Sequence, residues 1–134
     1  MVTIKTTYTG QLRTEAVHLK SNNQIITDAP TDNNGKGEAF SPTDLVCSAL
    51  SSCMMTLMGI YAEREGIDLK GMTADVTKVM ASAPRKIAEI KIEFSKEGLV
   101  ASPEQIVKLK RAALTCPVAL SLGEHVKQTI SFSF

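Results

Sequence analysis

The sequence predicts a small α+β domain, and three features carry that prediction. Short segments in which apolar and polar residues alternate lie towards both ends of the chain and are typical of β-strands. Between them, Leu45–Ala62 is a run of eighteen residues without a charge. A serine or cysteine followed by proline marks three helix starts. Together these features predict the order βββ-α-ββ-αα-β, with antiparallel sheets packed on a buried central helix.

Size and charge limit the classes of function. With 134 residues the chain is expected to form a single domain, residues 1–134, around one core. Fifteen basic and 14 acidic side chains give a net charge of +1, so neither nucleic acid nor an anionic membrane is expected as a partner. The N-terminal segment MVTIKTTYTG lacks the features of a secretory signal, and we therefore expect a cytoplasmic protein with reduced thiols.

Six segments have the alternation and flanking turn residues of β-strands. The first two flank the turn at Thr9-Gly10-Gln11 and are expected to form an antiparallel hairpin. A second hairpin is expected to turn at Ala83-Pro84-Arg85. In chain order the predicted strands are VTIKTTYT, LRTEAVHL, NQIITD, TADVTKVM, IAEIKIEFS and VKQTISFSF.

Each of the three predicted helices begins with a capping residue followed by proline. Ser41 precedes Pro42 and is followed three positions on by Asp44, an arrangement in which the serine and the acid satisfy amides at the first turn. Ser102 opens a second helix, expected to end near residue 114, and Cys116 opens a short third one, expected to end near residue 124. Residues 29–40 form a loop of twelve before the first helix.

The uncharged segment Leu45–Ala62 is close to the length of a membrane span. Serine, threonine and glycine interrupt it, and the rest of the chain has the composition of a soluble protein. The sequence therefore favours a helix buried on nearly all sides over a membrane span.

The three cysteines differ in position. Cys47 and Cys53 lie on the first helix, about 120° and roughly 9 Å apart, so they cannot form a disulfide without unwinding it. Cys53 falls on an apolar stripe and needs a nearby cation to react, whereas the helix start favours the thiolate of Cys116. A free cysteine can also be a simple packing residue, and we assign that role to Cys47. Together with His18 and His125 the cysteines match no zinc spacing, so no metal is expected.

Two segments, SPTDLVCSALSSC and TCPVALSL, together resemble the OsmC / organic hydroperoxide resistance family of thiol peroxidases, and TYTGQLR resembles it weakly. In that family the peroxide-reacting cysteine comes eleven residues after the helix proline, as Cys53 follows Pro42. The second family cysteine precedes a proline, as Cys116 precedes Pro117. The resemblance implies the OsmC-like fold and an intertwined homodimer. No cofactor is expected.

The resemblance also implies a cation and an acid at the site. Arg13 in TGQLR matches the family arginine, with one residue more after the glycine, and would favour the Cys53 thiolate. Alternatively, Arg13 is a solvated strand residue paired with Glu15. The family glutamate directly follows the helix proline, but here that position is Thr43, and Asp44 is either its substitute or only a helix cap.

Two functions remain open from the sequence. In the first, Cys53 reduces an organic hydroperoxide, Cys116 forms a disulfide with it, and an external dithiol, typically of the lipoyl type in this family, resets the pair in defence against oxidative stress. In the second, the chain is a non-catalytic dimer of the same fold that binds an apolar small molecule, with its cysteines as packing residues.

Overall fold

The computed structural model describes the whole chain, Met1–Phe134, and its elements follow the predicted order. A short 3₁₀ turn, Thr31–Asn33, is added within the loop before the first helix. In chain order the elements are β1 (Ile4–Gly10), β2 (Arg13–His18), β3 (Asn23–Asp28), α1 (Pro42–Glu65), β4 (Thr73–Ser82), β5 (Arg85–Ser95), α2 (Pro103–Leu114), α3 (Pro117–Ser121) and β6 (Lys127–Ser133).

The chain divides into two compact units, Met1–Val46 and Cys47–Phe134. The first contains β1 to β3 and the start of α1, and the second contains the remainder of α1 and all later elements. The expectation of one domain over residues 1–134 stays a prediction.

In the first unit β1, β2 and β3 form an antiparallel sheet in that order. The β1–β2 turn lies at Gln11 and Leu12, slightly later than predicted, and both residues adopt left-handed backbone angles, with φ of 55° and 62°. The amide of Leu12 donates a hydrogen bond to the hydroxyl oxygen of Tyr8, at 3.2 Å. Because the turn is so short, Arg13 becomes the first residue of β2.

In the second unit β4, β5 and β6 form a sheet in that order. The predicted β4–β5 hairpin is confirmed, with Ser82 opposite Arg85. The prediction of purely antiparallel sheets is wrong for this unit, because β6 pairs with β5 in parallel. The two helices between β5 and β6 carry the chain back to the other end of the sheet, so the last strand enters in the same direction as β5.

The hydrophobic core of the second unit is built from α1, β5, α2 and α3. Alternation in β5 is confirmed, since Ile90, Ile92 and Phe94 are fully buried while Lys91 and Glu93 are exposed. The core cluster comprises Cys47, Leu50, Met54, Met58, Ala62, Ile67, Ile90, Ile92, Phe94, Leu109, Ala113, Cys116 and Ala119.

The predicted helix starts are confirmed. The Ser41 hydroxyl oxygen accepts from the Asp44 amide at 3.1 Å, and the Asp44 carboxylate accepts from the Ser41 amide at 3.0 Å. Ser102 and Gln105 cap α2 in the same reciprocal way. The third helix ends at Ser121, earlier than the predicted end near residue 124.

Helix α1 is long and apolar enough to cross a membrane by length and composition alone. The core helix of a soluble protein meets the same criterion, and the face of α1 formed by Leu50, Met54 and Met58 is fully buried in the core of the second unit. Only 28% of the apolar window of α1 is buried, so the helix is covered along one face and the expectation of a helix buried on nearly all sides is wrong.

Candidate active site

Cys53 and Cys116 lie beside each other in the second unit, although 63 positions separate them in the sequence. Cys53 is on α1 and half-buried, and Cys116 is the N-cap residue of α3 and fully buried. The two thiol side chains interact with each other, which raises the pKa of Cys116, and both residues are free thiols. The fold therefore places the two predicted cysteines as an adjacent dithiol.

The environment of Cys116 differs from the sequence expectation. Burial raises the pKa of its thiol, and the interaction with Cys53 raises it further. The amides of Ala119 and Val118 act in the opposite direction, with Ala119 N–H donating to Cys116 Sγ at 3.3 Å. The expected preference for the Cys116 thiolate is wrong because desolvation outweighs the amides of a five-residue helix.

The apolar face of α1 is rotated from the predicted one. Cys53 was expected within the buried stripe, but Cys47 is the cysteine buried there, at 4% exposure, and Cys53 lies on its flank. The helix is apolar around most of its circumference, so its periodicity does not select the buried face. The structure leaves Cys53 the more accessible of the two paired thiols.

Arg13 is paired with the carboxylate of Asp28, a partner that differs from the expected Glu15. Its Nε donates to Asp28 Oδ1 at 2.7 Å and its Nη2 donates to Asp28 Oδ2 at 2.8 Å. The β2–β3 register sets the two residues directly opposite each other. Arg13 and Asp28 lie on two consecutive predicted strands. A tight turn between these strands would place the two residues opposite each other, so this pair could have been predicted from the sequence.

The Arg13–Asp28 pair is partly enclosed. Asp28 is 1% exposed, and the hydrogen bonds from Arg13 hold the pKa of its carboxyl below the usual range, against the effect of burial. The Glu38 amide adds a hydrogen bond to Asp28 Oδ2 at 3.1 Å. The expected alternative partner, Glu15, makes no ion pair with Arg13, whose contacts are with Asp28 and, at 3.9 Å, the Glu38 carboxylate.

Asp44, the expected substitute for the family glutamate, uses its carboxylate at the helix start. Oδ2 accepts from the Ser41 amide, which is the geometry of a helix capping box. Thr43, at the position of the family glutamate, places its hydroxyl 3.2 Å from that of Ser41.

The four predicted site residues thus fall into two groups. Cys53 and Cys116 belong to the second unit, whereas Arg13 and Asp44 belong to the first. No cluster of three or more histidine, cysteine, aspartate or glutamate side chains is arranged to hold a metal ion. His18, for example, bonds through Nδ1 to the Ser21 hydroxyl at 2.6 Å.

The sequence matches a protein-family model over most of its length. The family model described as OsmC-like protein matches residues 35–131, which include α1, both paired cysteines and the second sheet up to the last two residues of β6. The chain belongs to the OsmC-like family. As the sequence resemblance indicated, Cys53 lies on the central helix and Cys116 lies at the start of the short helix that begins with Cys-Pro.

Solved structures share the OsmC-like fold over nearly the whole chain. A Psychrobacter arcticus 273-4 structure, provisionally named an osmotic stress induced and detoxification response protein, is 50% identical with a TM-score of 0.94, covering 98% of this chain and 96% of its own. An organic hydroperoxide resistance protein OsmC from Legionella pneumophila is 18% identical with a TM-score of 0.72, covering 100% and 98%.

A third structure, an organic hydroperoxide resistance protein from Elizabethkingia anophelis, is 14% identical with a TM-score of 0.73, covering 99% of this chain and 96% of its own. At these low identities the last two structures show the fold alone. No curated protein matches the sequence.

Proposed function

We propose that this OsmC-like protein is a thiol peroxidase that reduces organic hydroperoxides through Cys53. The observation that carries the proposal is the contact between a half-buried Cys53 thiol and a buried Cys116 thiol. Two relatives of the same fold are named for organic hydroperoxide resistance, which supports this substrate class. The role is defence against oxidative stress in the cytoplasm.

The reaction runs in three balanced steps. The Cys53 thiolate attacks the outer oxygen of the hydroperoxide, an S–O bond forms, the O–O bond breaks, and the alkoxide leaves as an alcohol after taking a proton. The Cys116 sulfur then attacks the Cys53 sulfenic acid, forming the disulfide and releasing water. Finally, an external dithiol of the lipoyl type reduces this disulfide and is itself oxidised to a cyclic disulfide.

The environments of the two thiols support this order of roles. Cys53 is accessible enough to meet a substrate, whereas Cys116 is fully buried and held in its neutral form by a raised pKa. A neutral thiol beside Cys53 does not compete for the peroxide, and its proton leaves when the disulfide forms. Leu57 follows Cys53 by about one turn on the same side of α1 and is a partly buried apolar residue, which suits an organic peroxide.

Arg13 and Asp44 have supporting roles in the proposal. Arg13 faces the peroxide and favours the Cys53 thiolate within an intertwined homodimer, in which the neighbouring chain supplies the arginine. Asp44 caps the start of α1 and so helps to hold Cys53, which lies on the same helix, in position.

Peroxide consumption with dihydrolipoamide as reductant tests the proposal. We expect the protein to turn over cumene hydroperoxide faster than hydrogen peroxide. Absence of turnover with any hydroperoxide, although both thiols titrate as free, would instead favour the non-catalytic dimer that binds an apolar molecule.

Cysteine variants test the assigned roles. Cys53→Ser is expected to abolish turnover, whereas Cys116→Ser should react once and retain a sulfenic acid that a dimedone probe labels. Mass spectrometry of the parent protein after one equivalent of peroxide should detect a Cys53–Cys116 disulfide. A sulfenic acid on Cys116 in the Cys53→Ser protein would reverse the assignment.

A further inference from the structure

We propose that Asp28 is the positioning residue of Arg13, in place of the acid that the family resemblance locates directly after the helix proline. This inference rests on the proposed peroxidase function, in which Arg13 faces the substrate. The chain has Thr43 at the position of the family acid, and Asp44, the next residue, accepts from the Ser41 amide. The orienting carboxylate therefore comes from β3 and not from α1.

The geometry of the Arg13–Asp28 pair fits this role. Two parallel hydrogen bonds of 2.7 and 2.8 Å join the guanidinium edge formed by Nε and Nη2 to both carboxylate oxygens. A bidentate contact of this kind fixes the plane of the guanidinium as well as its position. Asp28 is itself fixed, because it is buried and its Oδ2 also accepts from the Glu38 amide at 3.1 Å.

The same contact leaves part of the arginine available. Nη1 makes no hydrogen bond, and the Arg13 side chain is 30% exposed. A guanidinium anchored through Nε and Nη2 therefore directs the two hydrogens of Nη1 away from Asp28. They can donate to a peroxide oxygen, the role that the proposed reaction requires.

Other acids near Arg13 do not provide this anchor. The Glu38 carboxylate is exposed and 3.9 Å from Nη2, too far for a hydrogen bond. Glu15 lies two residues along β2, on the same face as Arg13, and makes no ion pair with it. Glu15→Gln is therefore a matched control, since it removes one negative charge from the same strand without touching the pair.

A double-mutant cycle on kcat/KM for cumene hydroperoxide tests the inference. Asp28→Asn is expected to lower kcat/KM about 10- to 100-fold. In an Arg13→Ala background the same change should alter it by less than about twofold, because Asp28 acts only through the arginine. Glu15→Gln should stay within about twofold of the parent. Parental activity in a folded Asp28→Asn protein, or a full loss in the Arg13→Ala background, overturns the proposal.

A measurement independent of activity separates this inference from the proposed function. In ¹⁵N spectra, the Arg13 Nε–H signal, identified by its loss in Arg13→Lys, should be sharp and slow to exchange in the parent and in Glu15→Gln. It should exchange rapidly in Asp28→Asn. An unchanged signal in Asp28→Asn overturns the inference even in an active enzyme, whereas an inactive parent with the expected spectra refutes the function alone.

Arg13→Lys provides the test if circular dichroism shows that Asp28→Asn does not fold. Lysine keeps the charge but cannot make the two-point contact that fixes the guanidinium. We expect its kcat/KM to fall close to that of Arg13→Ala. A lysine variant with parental kcat/KM would mean that a fixed orientation is dispensable, and would overturn the proposal.

Discussion

The three thiols of this chain show how surroundings decide the chemistry of a residue. Cys116 has the local features of an activated thiol, a helix start and an amide donor, yet burial raises its pKa. Cys47 is enclosed in the core cluster, and only Cys53 combines partial exposure with a second thiol in contact. The raised pKa of Cys116 thus follows from desolvation more than from its neighbours in the sequence.

The raised pKa of Cys116 predicts how stability depends on pH. The unfolded chain releases this proton near the ordinary thiol pKa of about 8.5, whereas the folded protein retains it to higher pH. The stabilisation from the neutral buried thiol is thus present below that value and is lost as pH rises through the folded pKa. Urea unfolding at pH 7 and pH 9.5 should show a larger fall for the parent than for Cys116→Ala. Equal falls would contradict the prediction.

Cys47→Ala is predicted to leave peroxide turnover unchanged. The side chain is 4% exposed within the core cluster, so the change should lower the free energy of unfolding by about 1 kcal/mol through altered packing. Steady-state kinetics and urea unfolding measure the two effects separately. Loss of turnover in a folded Cys47→Ala protein would show that a third thiol takes part.

At the scale of elements, the sequence determines where α1 begins but does not determine which of its faces is buried. The capping box of Ser41 and Asp44 fixes where the helix begins and therefore the level at which Cys53 lies along it. The apolar circumference of the helix does not fix its rotation. Packing against β5 and α2 selects the buried face.

Ser41→Ala and Asp44→Ala are predicted to have matching effects. Each removes one half of the same capping box and should lower the free energy of unfolding by about 1 kcal/mol, with similar small losses of kcat/KM. Ser102→Ala is the control, because it removes the capping box of α2 and leaves α1 unchanged. It measures the effect of losing a helix cap that has no connection to the helix carrying Cys53. A loss of kcat/KM in Asp44→Ala far beyond that in Ser41→Ala would show that its carboxylate acts in the chemistry.

At the scale of the whole molecule, the chain leaves apolar surface that a second copy would cover. Ile25 and Ile26, neighbours on opposite faces of the β1–β3 sheet, are 47% and 43% exposed. On α1, Ser52, Thr56 and Ile60 form an exposed stripe that would allow close approach of another element. Exposed apolar surface of this kind is typical of a site of protein–protein contact.

We predict an obligate homodimer with active sites that combine both chains. Multi-angle light scattering at micromolar concentration should give twice the chain mass of 14.5 kDa. Arg13→Ala, which has low residual activity, and inactive Cys53→Ser, mixed under mild denaturation and refolded, should regain activity above that of Arg13→Ala. Each protein refolded alone is the control and should keep its own low or absent activity.

Two outcomes separate the parts of this prediction. A folded monomer at micromolar concentration would contradict the dimer. A dimer whose mixed variants stay inactive would contradict only the shared site, and would require Arg13 to act within its own chain.

Local patterns in the sequence determined the order of the elements and the three helix starts, because capping and alternation depend on near neighbours, whereas the two candidate thiols came from the family resemblance. Tertiary structure alone decided the parallel entry of β6, the buried face of α1 and the raised pKa of Cys116. Each of these depends on groups distant in sequence, through strand register, packing or loss of solvent, and no local pattern encodes them.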